Sequence, residues 1–138
     1  MMRAALTGLA LACLIATPVL AAADVSSLES RYTAGYNRCM NSSDGASTMG
    51  MIGCITAENA KQDAKLNAAY AKAMADLTPA QKLKLKAAQR AWIAFRDADC
   101  ASYQDDDWGT LSRINANMCV LHRTVERTIE LEDYPPET

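Results

Sequence analysis

The sequence predicts an all-α fold, a small antiparallel bundle of about four helices stapled by two disulfides. Apolar residues recur at helical spacing, and no stretch shows the β-branched alternation of a sheet. Alanine, leucine, lysine and glutamine, which favour helices, are plentiful. Pro79 is the one proline in the body of the chain, and four cysteines follow an apolar leader.

The leader, residues 1–23, has the layout of a secretory signal peptide. Arg3 precedes a long apolar run, and an A-x-A cleavage pattern ends at Ala23. A retained membrane anchor is the alternative, because about twenty apolar residues could span a bilayer. The alanine-rich end favours cleavage, so we expect residues 24–138 to form a single periplasmic or secreted domain without membrane contact.

The charge balance bears on the class of partner. The chain has 14 lysines and arginines against 16 aspartates and glutamates, a formal net charge of −2. Nucleic-acid binders carry basic surfaces, so we expect no nucleic acid as a partner. A mildly acidic domain suits a cationic protein partner, although this charge is also ordinary for a soluble protein.

Four cysteines follow the leader: Cys39, Cys54, Cys100 and Cys119. An even count in a small exported domain indicates two disulfides, with three possible pairings. Zinc is the alternative, but no two of these cysteines have the C-x-x-C spacing. Cys119 and His122 could share a helix face, yet a lone histidine at this spacing is more often structural.

The first two helices are predicted over residues 26–40 and 47–77. Ser26 and Glu29 form a capping-box pattern at the start of helix one. The polar run of residues 41–45 indicates a turn, and two glycines weaken the first turns of helix two. An apolar stripe runs along the second half of helix two and consists of Leu66, Tyr70, Ala73 and Leu77.

Helix three begins sharply, because Thr78 is an N-cap, Pro79 occupies the first helical position and Gln81 completes a capping box. It contains the stretch AQRAWIAFRDADC at residues 88–100, and residues 104–109 follow as an acidic loop. Its apolar stripe consists of Leu85, Ala88, Trp92 and Phe95. Helix four has the clearest stripe of the chain, formed by Leu111, Ile114, Met118, Leu121, Val125, Thr128 and Leu131.

Short connections between the helices indicate antiparallel hairpins, which favour a local pairing of the cysteines. Cys39 with Cys54 would staple helix one to helix two, and Cys100 with Cys119 would staple helix three to helix four. Each closed loop contributes about 3 kcal/mol in the chain-entropy view. The second pair is offset by about 8–9 Å along the helix axes, which the acidic loop must absorb.

Three segments carry a resemblance to a known family. DAKLNAAY at residues 63–70, which follows Cys39 and Cys54, fits a D-x-x-L-N-x-x-Y pattern, and AQRAWIAFRDADC is the most specific motif. The pattern C-x(4)-T-x-x-R-T-x-x-L is matched by Cys119, Thr124, Arg127, Thr128 and Leu131. Together they resemble the lysozyme inhibitor LprI-like family of small exported bacterial proteins. Arg123 stands where we would expect an apolar residue.

The resemblance implies a helical, disulfide-bonded, periplasmic or secreted protein that inhibits lysozyme by direct binding. Only some members of the family are associated with lysozyme inhibition. The alternative is therefore an interaction module for another envelope protein. Within the central motif, Trp92 and Phe95 are interpreted as core anchors. Arg96 and Asp97 are adjacent on a helix and are expected to hold different neighbours. Asp99 turns back toward the stripe and needs a hydrogen-bond partner.

The sequence does not predict an enzyme. His122 is the single histidine, and no G-x-S-x-G, H-E-x-x-H or phosphate-loop pattern occurs. Asp97 and Asp99 point about 200° apart on a helix, which is wrong for a carboxylate pair. The run of residues 105–107 lacks the spacing and distal glutamate of a calcium loop. We therefore expect no metal and no cofactor.

The acidic loop is the predicted partner-binding segment. Lysozymes are commonly strongly basic, so Asp105, Asp106 and Asp107 would steer the encounter. Trp108 beside them is suited to anchor the complex, because aromatic residues carry much of the binding energy of interfaces. The alternative is a solvated acidic turn with Trp108 folded back onto the bundle.

Overall fold

The computed structural model describes residues 27–135. Residues 27–29 are helical, and four longer α-helices follow: α1 (Ala34–Met40), α2 (Thr48–Ala75), α3 (Pro79–Ala101) and α4 (Thr110–Glu132). Short 3-10 helices, Asp44–Ala46 and Asp106–Trp108, lie in two of the connections. Because residues 27–135 contain no strand, the all-α prediction is confirmed. The predicted signal peptide and the Ser26 cap lie outside the described residues.

The central pair of helices, α2 and α4, run parallel to each other. Ile55 shares one buried apolar cluster with Leu121, and Leu66, farther along α2, shares a second cluster with Leu131. The first turns of α3 join the second cluster through Leu85, next to the end of α4. Helix α3 therefore runs antiparallel to both of its neighbours, as short helical hairpins require.

A layer of buried polar side chains lies between the two apolar clusters. Glu58 and Gln62 of α2 are buried there, as are Thr124 and Thr128 of α4. Each threonine hydroxyl donates to the carbonyl one turn earlier in its own helix, to Val120 O at 2.7 Å and to Thr124 O at 2.8 Å. These hydroxyls are thus satisfied without a partner from another helix.

The predicted disulfides are both present. Cys39 is bonded to Cys54 with a Cα–Cα distance of 5.7 Å, and Cys100 to Cys119 with 5.4 Å. The first attaches α1 to α2, and the second attaches the end of α3 to the middle of α4. The local pairing favoured by the helical hairpins is confirmed.

Helix one was predicted as continuous, and this is wrong. The chain turns at residues 30–33, and α1 begins only after Thr33, whose hydroxyl accepts from Tyr36 N at 3.2 Å. The cause is tertiary, because the backbone N–H and the hydroxyl of Thr33 both donate to Glu58 of α2. By contrast, the capping box at Thr78, with Pro79 following, forms as predicted.

Helix α3 is covered along one narrow side. Leu85 and Cys100 are its buried residues, and Trp92 is half-buried against the second cluster. The core role predicted for Phe95 is wrong, because its side chain is 54% exposed. Leu111 at the start of the helix-four stripe is also exposed, whereas the rest of that stripe faces the bundle. The spacing of apolar residues in the sequence identifies which side chains share a helix face. It does not show how much of that face the neighbouring helices cover.

Candidate protein-interaction surface

Among the carboxylates that the structure describes, Glu58 is the most deeply buried, at 0% exposed. Its oxygens accept from Thr33 N at 2.8 Å, from the Thr33 hydroxyl at 2.5 Å and from Gln62 Nε2 at 2.7 Å. Gln62 Nε2 also donates to Arg31 O at 2.9 Å. The pair therefore fixes residues 31–33 onto α2. We assign Glu58 to folding, since its oxygens are occupied and it does not reach solvent.

The pKa of Glu58 reflects two opposing effects. Burial by itself would raise the pKa of this carboxyl. Hydrogen bonds from Thr33 and Gln62, with the charge of Lys61, outweigh burial and hold the pKa below its ordinary value of 4.5. The group is therefore a carboxylate at neutral pH. No feature of the sequence singled it out, because its burial depends on the approach of the segment before α1.

The single histidine, His122, lies in an open groove. The groove has a volume of about 380 Å³ and is lined by one face of α4 and by Tyr103. His122 Nε2 is buried and has no hydrogen-bond partner among residues 27–135, and the His122 ring lies parallel to that of Tyr32 at 6.2 Å. Cys119, its partner in the zinc alternative, is bonded to Cys100, so neither sulfur is a thiolate that could hold zinc.

The charged residues of the central motif divide between structure and surface. Asp99 has the partner that its position requires, because Arg123 Nη2 lies 3.1 Å from Asp99 Oδ2. The guanidinium of Arg123 also lies 5.7 Å from the Phe95 ring centroid, and it donates to Glu126 at 3.1 Å. This arrangement explains an arginine where an apolar residue was expected, since it bridges α3 and α4 at a half-exposed position.

The expectation that Arg96 and Asp97 hold different neighbours is wrong. Arg96 donates to Asp97 Oδ1 from Nε at 2.9 Å and from Nη2 at 2.8 Å. The Cβ atoms of adjacent helical residues diverge, but the long arginine side chain wraps back along the helix surface. Its guanidinium also lies 5.1 Å from the Trp92 ring centroid. The motif thus places this pair over its half-buried tryptophan.

The predicted partner-binding residues form a protruding turn, which we call the acidic tip (residues 105–108). Asp105 Oδ1 accepts from Asp107 N at 2.8 Å, and Asp106–Trp108 form a single 3-10 turn. The turn ends at Gly109, whose φ of 72° favours glycine. Trp108 is 64% exposed, so the alternative in which it folds back onto the bundle is wrong.

Two further aromatic or apolar side chains surround the acidic tip. Tyr103 lies just before it and Leu111 just after it, and both are exposed. Sequence reasoning placed Leu111 in the core and left Tyr103 unassigned. The sequence did hold one indication that both side chains are exposed. Each lies next to a charged turn, at the end or the start of a helix, where few neighbouring residues can cover it. Together with Trp108 they give the tip an apolar surface next to its carboxylates.

A second open groove, of about 310 Å³, separates α2 from α3. One wall is the segment that matches D-x-x-L-N-x-x-Y, with Asp63, Leu66, Asn67 and Tyr70. The opposite wall is the central motif and the turn before it, including Lys86, Gln89, Arg90, Ile93 and Arg96. The third segment joins this arrangement, because Arg127 Nε of α4 donates to Gln89 Oε1 at 3.0 Å. The three segments therefore come together in the fold.

Within residues 27–135, none of the helices has both the length and the apolar character needed to cross a bilayer. The model of one protein family, described as lysozyme inhibitor LprI, matches residues 39–131. This range begins at Cys39, the cysteine of α1, and ends at Leu131, the last buried leucine of α4. No curated protein and no solved structure matches the chain.

Proposed function

Because the chain belongs to the LprI lysozyme inhibitor family, we propose that it inhibits a lysozyme by direct binding through the acidic tip. We further propose that residues 1–23 are removed as a signal peptide. The mature protein would then act in the periplasm or outside the cell, where disulfides persist. An inhibitor of this kind needs neither a cofactor nor a catalytic group.

The observation that carries the proposal is the composition and exposure of the tip. Asp106, Asp107 and Trp108 project from a turn stabilised by the Asp105 side chain. Carboxylates accelerate the encounter with a basic enzyme. An exposed indole that becomes buried in the complex contributes much of the binding energy of an interface. A convex turn also has the shape to enter an enzyme cleft and exclude the substrate.

The test is inhibition of bacterial lysis by several lysozyme types, using the oxidised protein at low and high salt. We compare the parent with Asp106→Ser/Asp107→Ser, which keeps the Asp105 cap, and with Trp108→Ala. The double variant should associate more slowly with a flatter salt dependence, because steering is screened by ions. Trp108→Ala should dissociate faster, with unchanged folding because the ring is exposed.

A matched control removes two exposed carboxylates elsewhere, as Asp63→Ser/Asp76→Ser. This variant has the same net charge as the tip variant and should inhibit like the parent. Equal inhibition by the parent and the tip variant would remove the tip from the interface. Failure of the parent to inhibit any lysozyme would favour the alternative, an interaction module for another envelope protein.

A further inference from the structure

Charge divides α3 and the acidic tip into two halves of opposite sign. Residues 79–96 contain five lysines and arginines and no carboxylate, whereas residues 97–107 contain five aspartates and no lysine or arginine. The boundary falls between Arg96 and Asp97. These two halves, the cationic helix and the acidic segment that follows it, are complementary to those of a second copy that runs in the opposite direction.

Apolar side chains are left uncovered over the same part of the chain. Residues 27–135 contain seven large hydrophobic side chains that are exposed, and six of them lie between residues 83 and 111. These six are Leu83, Ile93, Phe95, Tyr103, Trp108 and Leu111. Three of them lie on α3 and three lie in or beside the acidic tip. Exposed apolar side chains gathered in one part of a protein mark an interaction site more often than scattered single residues do.

The charges of this surface are not balanced within one chain. Lys84, Lys86 and Arg90 are exposed and form no ion pair in the described part of the chain, and neither do Asp106 and Asp107. A continuous helix holds its two halves apart, and the disulfide at the end of α3 anchors the tip on α4. The tip therefore cannot fold back onto the cationic half of its own helix.

We propose that two copies of the chain pair through their α3 helices as a closed antiparallel dimer. A two-fold axis near residues 96–97 brings the acidic tip of each copy level with Lys86 and Arg90 of the other. The exposed side chain of Ile93, which shares a face of α3 with Lys86 and Arg90, then lies within about one helical turn of the axis. Both contacts are made twice, as a closed two-fold interface requires, and the assembly does not extend into a fibre.

This dimer has a consequence for inhibition, which rests on the proposed function. The same carboxylates and Trp108 would be occupied either by the second copy or by a lysozyme. The dimer would then be a stored form, and the monomer would be the inhibitor. The dimer itself does not rest on the proposed function, because it is tested with no lysozyme present.

The test is sedimentation velocity over a range of protein concentrations at low ionic strength. One variant reverses the cationic half, as Lys86→Glu/Arg90→Glu, and a second reverses the tip, as Asp106→Lys/Asp107→Lys. Like charges then face each other at both contacts of each homodimer. We expect each variant alone to dissociate at least about tenfold more readily than the parent.

An equimolar mixture of the two variants provides the decisive measurement. In a mixed dimer, the new glutamates face the new lysines at one contact, and the native charges face each other at the second. The mixture should therefore form dimers where neither variant does so alone, and added salt should weaken them. Arg38→Glu/Lys72→Glu, which changes the same charge at exposed positions outside α3, should dimerise like the parent.

Circular dichroism melts confirm that each variant is folded, which the exposure of the substituted side chains predicts. A parent that stays monomeric at every concentration would overturn the proposal. So would a cationic-half variant that dimerises like the parent, or a mixture that sediments as the sum of its separate components. If a variant fails to fold, the salt dependence of the parent dimer tests the proposal instead. A dimer held by the proposed charge contacts should weaken with added salt, whereas a purely apolar interface would not.

Discussion

The Glu58 carboxylate of α2 accepts two hydrogen bonds from Thr33, one from the backbone N–H at 2.8 Å and one from the hydroxyl at 2.5 Å. The same threonine is the N-cap of α1. A single buried carboxylate therefore determines where the first long helix begins and fixes it to the longest one. The cysteine pair Cys39–Cys54 closes the other end of the same hairpin.

Glu58→Gln should lower the free energy of unfolding by about 1–3 kcal/mol at neutral pH, because it leaves a buried donor of Thr33 without an acceptor. The pKa of Glu58 is below its ordinary value of 4.5 in the folded protein. Its contribution is thus present above that value and is lost as the pH falls through the folded pKa. Denaturant melts between about pH 6 and pH 3 measure this loss.

The control for this prediction is Asp76→Asn, at an exposed carboxylate. It should keep the pH dependence of the parent, whereas Glu58→Gln should flatten the acid side of the curve. Equal slopes for the parent and Glu58→Gln would show that Glu58 is not selectively stabilised as a carboxylate.

Removal of either disulfide should lower the free energy of unfolding by about 2–5 kcal/mol. The two removals should increase the mobility of different helices. Leu85 and Cys100 are the buried residues of α3, so Cys100→Ala/Cys119→Ala should free the second half of this helix. Cys39→Ala/Cys54→Ala should free α1. Hydrogen exchange of the backbone amides checks this, and uniform acceleration in both variants would contradict it.

Much of the fold could be predicted because its signals are local. Thr78, Pro79 and Gln81 are adjacent in the chain and form their cap without help from another helix. The helical hairpins also limited which cysteines could meet. The break before α1 could not be predicted, because Thr33 becomes a cap only when Glu58 approaches from a distant part of the sequence.

The candidate site was predictable in part for the same reason. The acidic run beside Trp108 is visible in the sequence, but the exposure of Leu111 depends on how far α3 and α4 extend past each other. The stripe that contains Phe95 has helical spacing, yet the neighbouring helices cover only the side of α3 that holds Leu85 and Trp92. Periodicity carries no information about this coverage.

Trp92 and Phe95 should differ in their contribution to stability. Trp92 is half-buried beside Leu85 and beneath Arg96, so Trp92→Ala should cost about 1–3 kcal/mol, less than a fully buried ring. Phe95→Ala should change the free energy of unfolding by about 0.5 kcal/mol or less, because the ring is exposed. Thermal melts of dilute protein compare the two. Equal losses would mean that both rings are covered in solution.

The two glycines at the start of α2 should respond in opposite ways to alanine. A Cβ at Gly50 would lie 1.5 Å from the carbonyl oxygen of Asp44, so the 3-10 turn before α2 must move to admit it. A Cβ at Gly53 would meet nothing within 4 Å. Both positions are helical, and glycine in a helix is less favourable than alanine by about 0.5–1 kcal/mol.

Gly53→Ala should therefore stabilise the protein by about 0.5–1 kcal/mol, because it gains helix propensity without a clash. Gly50→Ala should destabilise it by roughly 1–3 kcal/mol, because overpacking displaces the backbone beside the Cys39–Cys54 disulfide. Denaturant melts of the two variants under identical conditions provide the comparison. If Gly50→Ala is as stable as Gly53→Ala, the turn before α2 does not pack closely against its first residues.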